Sequence, residues 1–175
     1  TFGLSGTAKQ FIHLTDAQDM SEAAKYINQH NLGVFPVGEG SNTITPGCVA
    51  DKCVVHVDTN GVEIMRNDHS VQLQISAGEN WDKVVQLAAD NGWAGITALS
   101  AIPGSVGAAP VQNIGAYGQE LSDVIDQVTV YDCKRDTKRC FDKGECQFGY
   151  RTSVFKQNSA RFIVLSITIT LQKRN

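Results

Sequence analysis

The run Ile102-Pro103-Gly104-Ser105-Val106-Gly107-Ala108-Ala109-Pro110-Val111-Gln112-Asn113-Ile114-Gly115-Ala116-Tyr117-Gly118 constrains the fold more than any other segment. These 17 residues include four glycines, two prolines and three alanines, and carry no formal charge. Glycine admits positive φ and close approach of main chain to a ligand. Proline fixes φ and removes a donor, so the path between the glycines is stiff. A flexible linker would be rich in Gly and Ser and would not carry Ile102, Val106, Val111, Ile114 and Tyr117. Gln112 and Asn113 are the only side-chain amides, each offering donor and acceptor together. Such a wall suits a large, flat, mostly apolar ring system with polar edges; the plainer alternative is a tightly packed structural loop.

The rest of the chain sets the frame. At 175 residues it suits one domain, or two small lobes sharing a core. With 42% hydrophobic and 19% charged residues it reads as a globular chain, not a disordered one. A net charge of −3 argues against a nucleic-acid footprint, which needs a clustered basic surface. Lys134-Arg135, Lys138-Arg139 and Lys173-Arg174 read as solvated turns. No segment reaches the roughly 18 continuous apolar residues of a membrane span. The opening Thr1-Phe2-Gly3 lacks a basic n-region and an initiating Met, so no signal peptide is expected and the start reads as processed or trimmed. Five cysteines (Cys48, Cys53, Cys133, Cys140, Cys146) include no CxxC pair, and the four histidines do not supply metal-ligand spacing. Free thiols in a reducing cytosol, and no metal, are the expectation.

Periodicity places the elements. Phe11 to Leu14 is a short extended run, followed by a helix whose Met20, Ala23, Ala24 and Ile27 fall at i, i+3, i+4 and i+7. Asp19 with Glu22 predicts its N-terminal cap, and Gly33 its stop. Val34-Phe35-Pro36-Val37 reads as a strand, at an edge or a bend because of Pro36. Strand, helix, strand and glycine turn make a small α/β layer. Cys53–Val57, Val62–Met65 and Val71–Ser76 read as β-type runs. A second helix carries Trp81, Val84, Val85 and Ala88 on one face, with Asn91-Gly92 as its stop. Val124–Tyr131 and Arg161–Leu171 alternate apolar with polar residues and predict half-buried strands.

Two further motifs carry chemistry. Gly38-Glu39-Gly40-Ser41-Asn42 follows a strand and can present successive backbone N–H groups as an anion-binding concavity. It is neither a dinucleotide fingerprint nor a P-loop, and tight glycine turns also occur without a ligand. In Phe148-Gly149-Tyr150-Arg151-Thr152-Ser153-Val154-Phe155-Lys156, Arg151 sits among aromatics and small hydroxyls. An arginine so placed can hold a carboxylate by two parallel hydrogen bonds or stabilise developing negative charge. The alternative is a surface arginine with its stem packed on Phe. No serine elbow, HExxH or short nucleophile–base motif occurs. His13, His56 and His69 read as ordinary strand or turn residues, and Trp81 and Trp93 as packing anchors.

Taken in order, Thr1-Phe2-Gly3, Gly38 to Asn42, Ile102 to Gly118 and Tyr150 to Lys156 resemble the UDP-N-acetylenolpyruvoylglucosamine reductase family. Gly78-Glu79-Asn80-Trp81 and Glu145-Cys146 extend the match. The resemblance implies an α+β, two-lobed FAD-binding module of the vanillyl-alcohol-oxidase (PCMH) type. A small α/β lobe, 1–58, would precede an antiparallel-sheet lobe, 59–175, with FAD extended between them. Gly38, Glu39, Gly40, Ser41, Asn42 and Thr43 would cradle the pyrophosphate. Ile102, Pro103, Gly104, Gly107, Ala108, Ala109, Gln112, Asn113, Ile114, Gly115, Ala116 and Tyr117 would line the flavin ring and ribityl chain, and Val164 would lie near the adenine.

Arg151 matches the family's catalytic arginine, which polarises the enolpyruvyl carboxylate, while Tyr150 and Tyr117 would contact substrate. The implied reaction passes hydride from NADPH to FAD and then to UDP-N-acetylglucosamine enolpyruvate, giving UDP-N-acetylmuramate for cell-wall peptidoglycan. A cytoplasmic monomer, with no nucleic-acid or membrane partner, is implied. The family's serine acid, glutamate and UDP-holding domain lie further along. This sequence therefore reads as the flavin-binding part of a longer reductase, cut at Asn175, which binds FAD and turns over poorly or not at all alone. Another FAD-linked oxidase or dehydrogenase of the superfamily, or a non-catalytic flavin-binding module, is the rival reading.

Overall fold

The computed structural model describes residues 6–45 and 47–173, so the Thr1-Phe2-Gly3 block and Arg174-Asn175 lie outside the described residues. The first half builds a three-stranded parallel sheet from β1 (Thr7–Leu14), β2 (Gly33–Val37) and β3 (Cys48–Val57), in the order β1-β3-β2. Helix α1 (Met20–Gln29) makes the β1-to-β2 crossover that parallel pairing requires. Its Met20, Ala23, Ala24 and Ile27 are all buried, in one core with Leu14, Val34 and Val55. Pro36 lies on edge strand β2, where its missing N–H costs no ladder bond on the open side.

Both ends of α1 depart from expectation. Asp19 makes no side-chain cap bond, because its own backbone is already helical (φ −73°, ψ −8°), not extended as a capping residue's is. Asn31, at φ 52°, takes the left-handed position after the helix, and Gly33 already belongs to β2. Strands β1 and β3 also start earlier than Phe11 and Cys53, and their register shifts between Ala8 and Gln10. Their first residues are mostly exposed, so apolar alternation does not mark them.

The second half builds an antiparallel sheet from β4 (Val62–Arg66), β5 (Ser70–Ser76), β9 (Ile125–Asp132), β10 (Thr137–Asp142) and β11 (Phe162–Lys173). Their order is β10-β9-β11-β5-β4. Between β5 and β9 come α2 (Trp81–Asp90), β6 (Trp93–Ala94), which pairs with the end of β11, and the small hairpin β7 (Gly115–Ala116)–β8 (Gln119–Glu120). Helix α2 is capped by the Asn80 side chain, which accepts from the Lys83 amide, and it buries Trp81, Val84, Val85 and Ala88. Trp81 and Trp93 are packing anchors, 1% and 5% exposed.

Lys138 and Arg139 are not in a turn but on edge strand β10, where basic side chains discourage pairing with another chain. Strand β11 is central, and Phe162–Leu165 is buried at all four positions, more than its alternation predicts. Alternate side chains explain this. Phe162 packs edge-on against Phe141 and Phe155 and, with Val164, borders a cleft, while Ile163 and Leu165 join the core.

Beside this sheet, Arg161 grips the buried Asp132 carboxylate in a two-pronged bond (Nε to Oδ1 2.9 Å, Nη2 to Oδ2 2.7 Å), and the amides of Lys134 and Arg135 also donate to Oδ1. The hydrogen bonds from Arg161 hold the Asp132 carboxyl at about 2, well below the usual carboxylate range, against the opposing effect of burial. No helix among the described residues is long and apolar enough to cross a membrane, which says nothing of strand-built spans.

Candidate functional site

Where β2 ends, the chain turns through Gly38–Thr43 and meets the 102–114 run across a cleft of about 420 Å³. The two sides touch: Ser41 Oγ donates to the Pro103 carbonyl at 3.1 Å, and Asn42 Nδ2 to Gln112 Oε1 at 3.1 Å. Thr43 N closes the turn on Gly40 O. Among the described residues, the amides of Glu39, Gly40, Ser41 and Asn42 have no acceptor, so they remain available as an anion-binding concavity. The Glu39 carboxylate accepts from Asn80 Nδ2 at 2.7 Å, which holds its charge in one place without neutralising it.

The far wall is held on the second sheet. The amides of Trp81, Val106 and Gly107 bond to Gly104 O, Glu79 O and Ala77 O, at 3.0, 2.8 and 2.7 Å. Backbone conformation requires glycine at Gly104, and a side chain at Gly38 would have to displace the Ser105 hydroxyl. A Cβ on Gly38 would stand 2.1 Å from Ser105 Oγ, and Gly104 (φ 125°) would place one 2.9 Å from Ser41 Oγ. Phe155, Lys156, Phe162 and Val164 complete the lining. The wall is apolar and amide-edged, with Lys52 and Lys156 as its cations and Glu39 as its acid.

Of the expected flavin contacts, Gly38 to Thr43, Ile102, Pro103, Gly104, Gly107, Ala108, Ala109, Gln112, Ile114 and Val164 all line this cleft. Asn113, Gly115, Ala116 and Tyr117 do not. Asn113 is buried at φ 46°, and its side chain is spent inside the protein. Nδ2 donates to Glu120 Oε2 (2.8 Å) and Gly149 O (3.3 Å), while Oδ1 accepts from the Ser122 amide (3.0 Å). An amide in sequence cannot show which way it faces, so this clamp was invisible there. Ser105 and Trp81 border the cleft without having been singled out for it.

Arg151 stands beside the wall on a tight turn bridged Gly149↔Thr152, itself at φ 54°. A left-handed arginine is uncommon and costs of order 1 kcal/mol. Three contacts hold it: Arg151 Nη2 donates to Gly115 O (2.6 Å), Lys156 Nζ donates to Arg151 O (2.9 Å), and Asn113 grips Gly149. Ser153 adds a fourth tie, donating from Oγ to Val111 O at 2.7 Å while capping the short helix α3 (Val154–Gln157). Tyr150 and Tyr117 are 83% and 95% exposed, two large aromatics left uncovered on this side.

The fold also assembles a group that spacing did not reveal. His13, His56 and Asp58 come together although His13 and Asp58 are 45 positions apart. The thiols of Cys53, Cys133 and Cys146 are pushed up by burial, to about 11 for Cys133 and about 12 for Cys146, which disfavours the thiolate.

Residues 8–140 match the family described as FAD binding domain. The chain is 41% identical to UDP-N-acetylenolpyruvoylglucosamine reductase of Pseudomonas aeruginosa, over 99% of this chain and 51% of that protein. It is 37% identical to the enzyme of that name from Flavobacterium johnsoniae, over 100% of this chain and 52% of the relative. The chain thus spans about half the length of the curated relatives it matches. In fold it is similar to the crystal structure of UDP-N-acetylenolpyruvylglucosamine reductase from Thermus caldophilus, with a TM-score of 0.75 at 22% identity, covering 94% of this chain and 56% of that one. It is also similar to cholesterol oxidase from Brevibacterium sterolicum, with a TM-score of 0.64 at 14% identity, covering 93% and 34%. A VAO-type flavoprotein from Myceliophthora thermophila gives 0.64 at 13% identity, covering 93% and 31%. The architecture is therefore the vanillyl-alcohol-oxidase type, and the chain belongs to the FAD-binding domain family and matches the FAD-binding portion of UDP-N-acetylenolpyruvoylglucosamine reductases.

Proposed function

We propose that this chain binds FAD in the cleft between a 1–58 lobe and a 59–175 lobe, as the flavin module of a cytoplasmic, monomeric, NADPH-dependent reductase. Its substrate is UDP-N-acetylglucosamine enolpyruvate and its product UDP-N-acetylmuramate. The observation that carries the reading is the meeting of two unlike surfaces: open amides on Glu39 to Asn42, and the uncharged ledge from Ile102 to Ile114. The first suits a diphosphate and the second a flat ring with polar edges.

Bound FAD supplies the redox chemistry by accepting a hydride and giving it up again. The chain's own residues bind and orient. Ser41 and Asn42 pin the phosphate turn to the ledge, so the two halves of the pocket keep their spacing. Arg151, fixed by Gly115 O and Lys156, presents its free guanidinium edge to a substrate carboxylate and stabilises charge that develops there. Tyr150 and Tyr117 flank the substrate.

The test is to add FAD to the apo chain. At 100-fold over Kd, a ligand bound only by the folded form adds about 2.7 kcal/mol, which raises the melting temperature by several degrees. A colourless protein with unchanged melting would refute the reading. In a full-length version, Arg151→Lys should leave flavin reduction by NADPH intact and slow reoxidation by substrate by orders of magnitude. Two normal half-reactions would remove Arg151 from its role.

A further inference from the structure

We propose that His13, His56 and Asp58 form a divalent transition-metal site on the N-terminal sheet, taking Zn²⁺ with water in the fourth position. The site owes nothing to the flavin cleft, whose wall includes none of these residues. It follows from the ladder. His13 and His56 are register partners on the parallel strands β1 and β3, so their side chains stand on one face of the sheet. Asp58 follows His56 by two residues, and strand periodicity returns it to the same face. Its amide donates to Leu14 O at 2.9 Å, which carries the β1–β3 contact one step past the strand and fixes where the carboxylate starts. The Asn60 side chain holds the Asp58 carbonyl at 3.0 Å.

The side chains already converge. His13 Nε2 lies 2.8 Å from Asp58 Oδ2, the two imidazoles stack at 5.1 Å with 14° between planes, and one ligand atom from each residue lies within 4.8 Å of the others. Tetrahedral zinc, with bonds of about 2.0–2.2 Å, needs its ligands roughly 3.3–3.5 Å apart. Small side-chain rotations on a rigid sheet close that difference. Two imidazoles and one carboxylate suit zinc or cobalt better than a hard ion such as Mg²⁺ or Ca²⁺, which prefers oxygen. Because His13 is half-exposed, one coordination position stays open to water. A bound ion would cross-link β1 to β3 and stabilise the folded sheet.

Calorimetric titration of this chain with ZnCl₂ tests the site. The expected result is one ion per chain, with affinity falling more than about 100-fold in His56→Ala, beyond what loss of a supporting group costs. His13→Gln, at an exposed position, gives the same loss should His56→Ala fail to fold. Cys48 and Cys140 are the exposed thiols among the described residues, so Cys48→Ser with Cys140→Ser must leave uptake unchanged. Co²⁺ substituted for zinc should show ligand-field bands without thiolate charge-transfer absorption. No uptake, uptake that survives loss of either histidine, or uptake lost with the cysteines overturns the proposal.

Discussion

Replacing Asn113 by aspartate keeps its shape, its acceptor for the Ser122 amide and its tolerance of the left-handed backbone, and changes only Nδ2 into an oxygen. That oxygen would face Glu120 Oε2, 2.8 Å away, in a partly buried place. Two carboxylates at that spacing repel by about 6 kcal/mol at an effective dielectric of about 20. Taking up one proton is easier: from an ordinary carboxyl near pH 4, that costs about 4 kcal/mol at pH 7.

The folded variant therefore holds a proton that its unfolded form has released, and its folded carboxyl pair titrates well above the unfolded one. The sign follows. The pH-dependent loss relative to the parent vanishes below about pH 4, where the unfolded carboxyl is protonated too, and grows by about 1.4 kcal/mol for each pH unit above it, until the raised folded value is reached near pH 8. The lost bond to Gly149 O, long at 3.3 Å, adds about 1 kcal/mol that does not depend on pH. Urea unfolding of parent and Asn113→Asp at pH 5, 6, 7 and 8 reads this directly, with Asn113→Ala as the pH-flat comparison. Parallel stability curves, or a loss under about 1 kcal/mol at pH 7, would show that Asn113 is not the clamp between the 102–114 ledge and the Arg151 turn.

Two more outcomes can be measured on the same chain. Gly107→Ala would set a Cβ 2.6 Å from Ala77 Cβ and 3.1 Å from Ala77 O, with no flexible side chain to yield; urea unfolding should show a loss of about 1–3 kcal/mol, and FAD titration a weaker complex. Asp132, held at about 2 by Arg161, contributes stability that is complete above its unfolded value near 4 and is lost as pH falls through its folded value. That contribution is about 2 kcal/mol, so the drop in urea midpoint between pH 4 and pH 2 should shrink in Asp132→Asn.

Local chemistry alone marked both helix faces, the buried Trp81 and Trp93, and, of the edge or bend expected at Pro36, the edge. Apolar period and backbone restriction act over a few residues, and a reader of the chain has those residues in view. Strand β10 escaped because a basic edge strand has no apolar alternation to display. The left-handed conformation of Arg151 escaped because contacts with Gly115 and Lys156 hold it against intrinsic preference. Folding alone chose the direction of each polar side chain: Asn113 inward to Glu120 and Gly149, Ser41 onto Pro103, His13 beside His56. A hydrogen bond depends on distances of tenths of an ångström between groups tens of positions apart, and no spacing along one chain encodes that until strand register has been set.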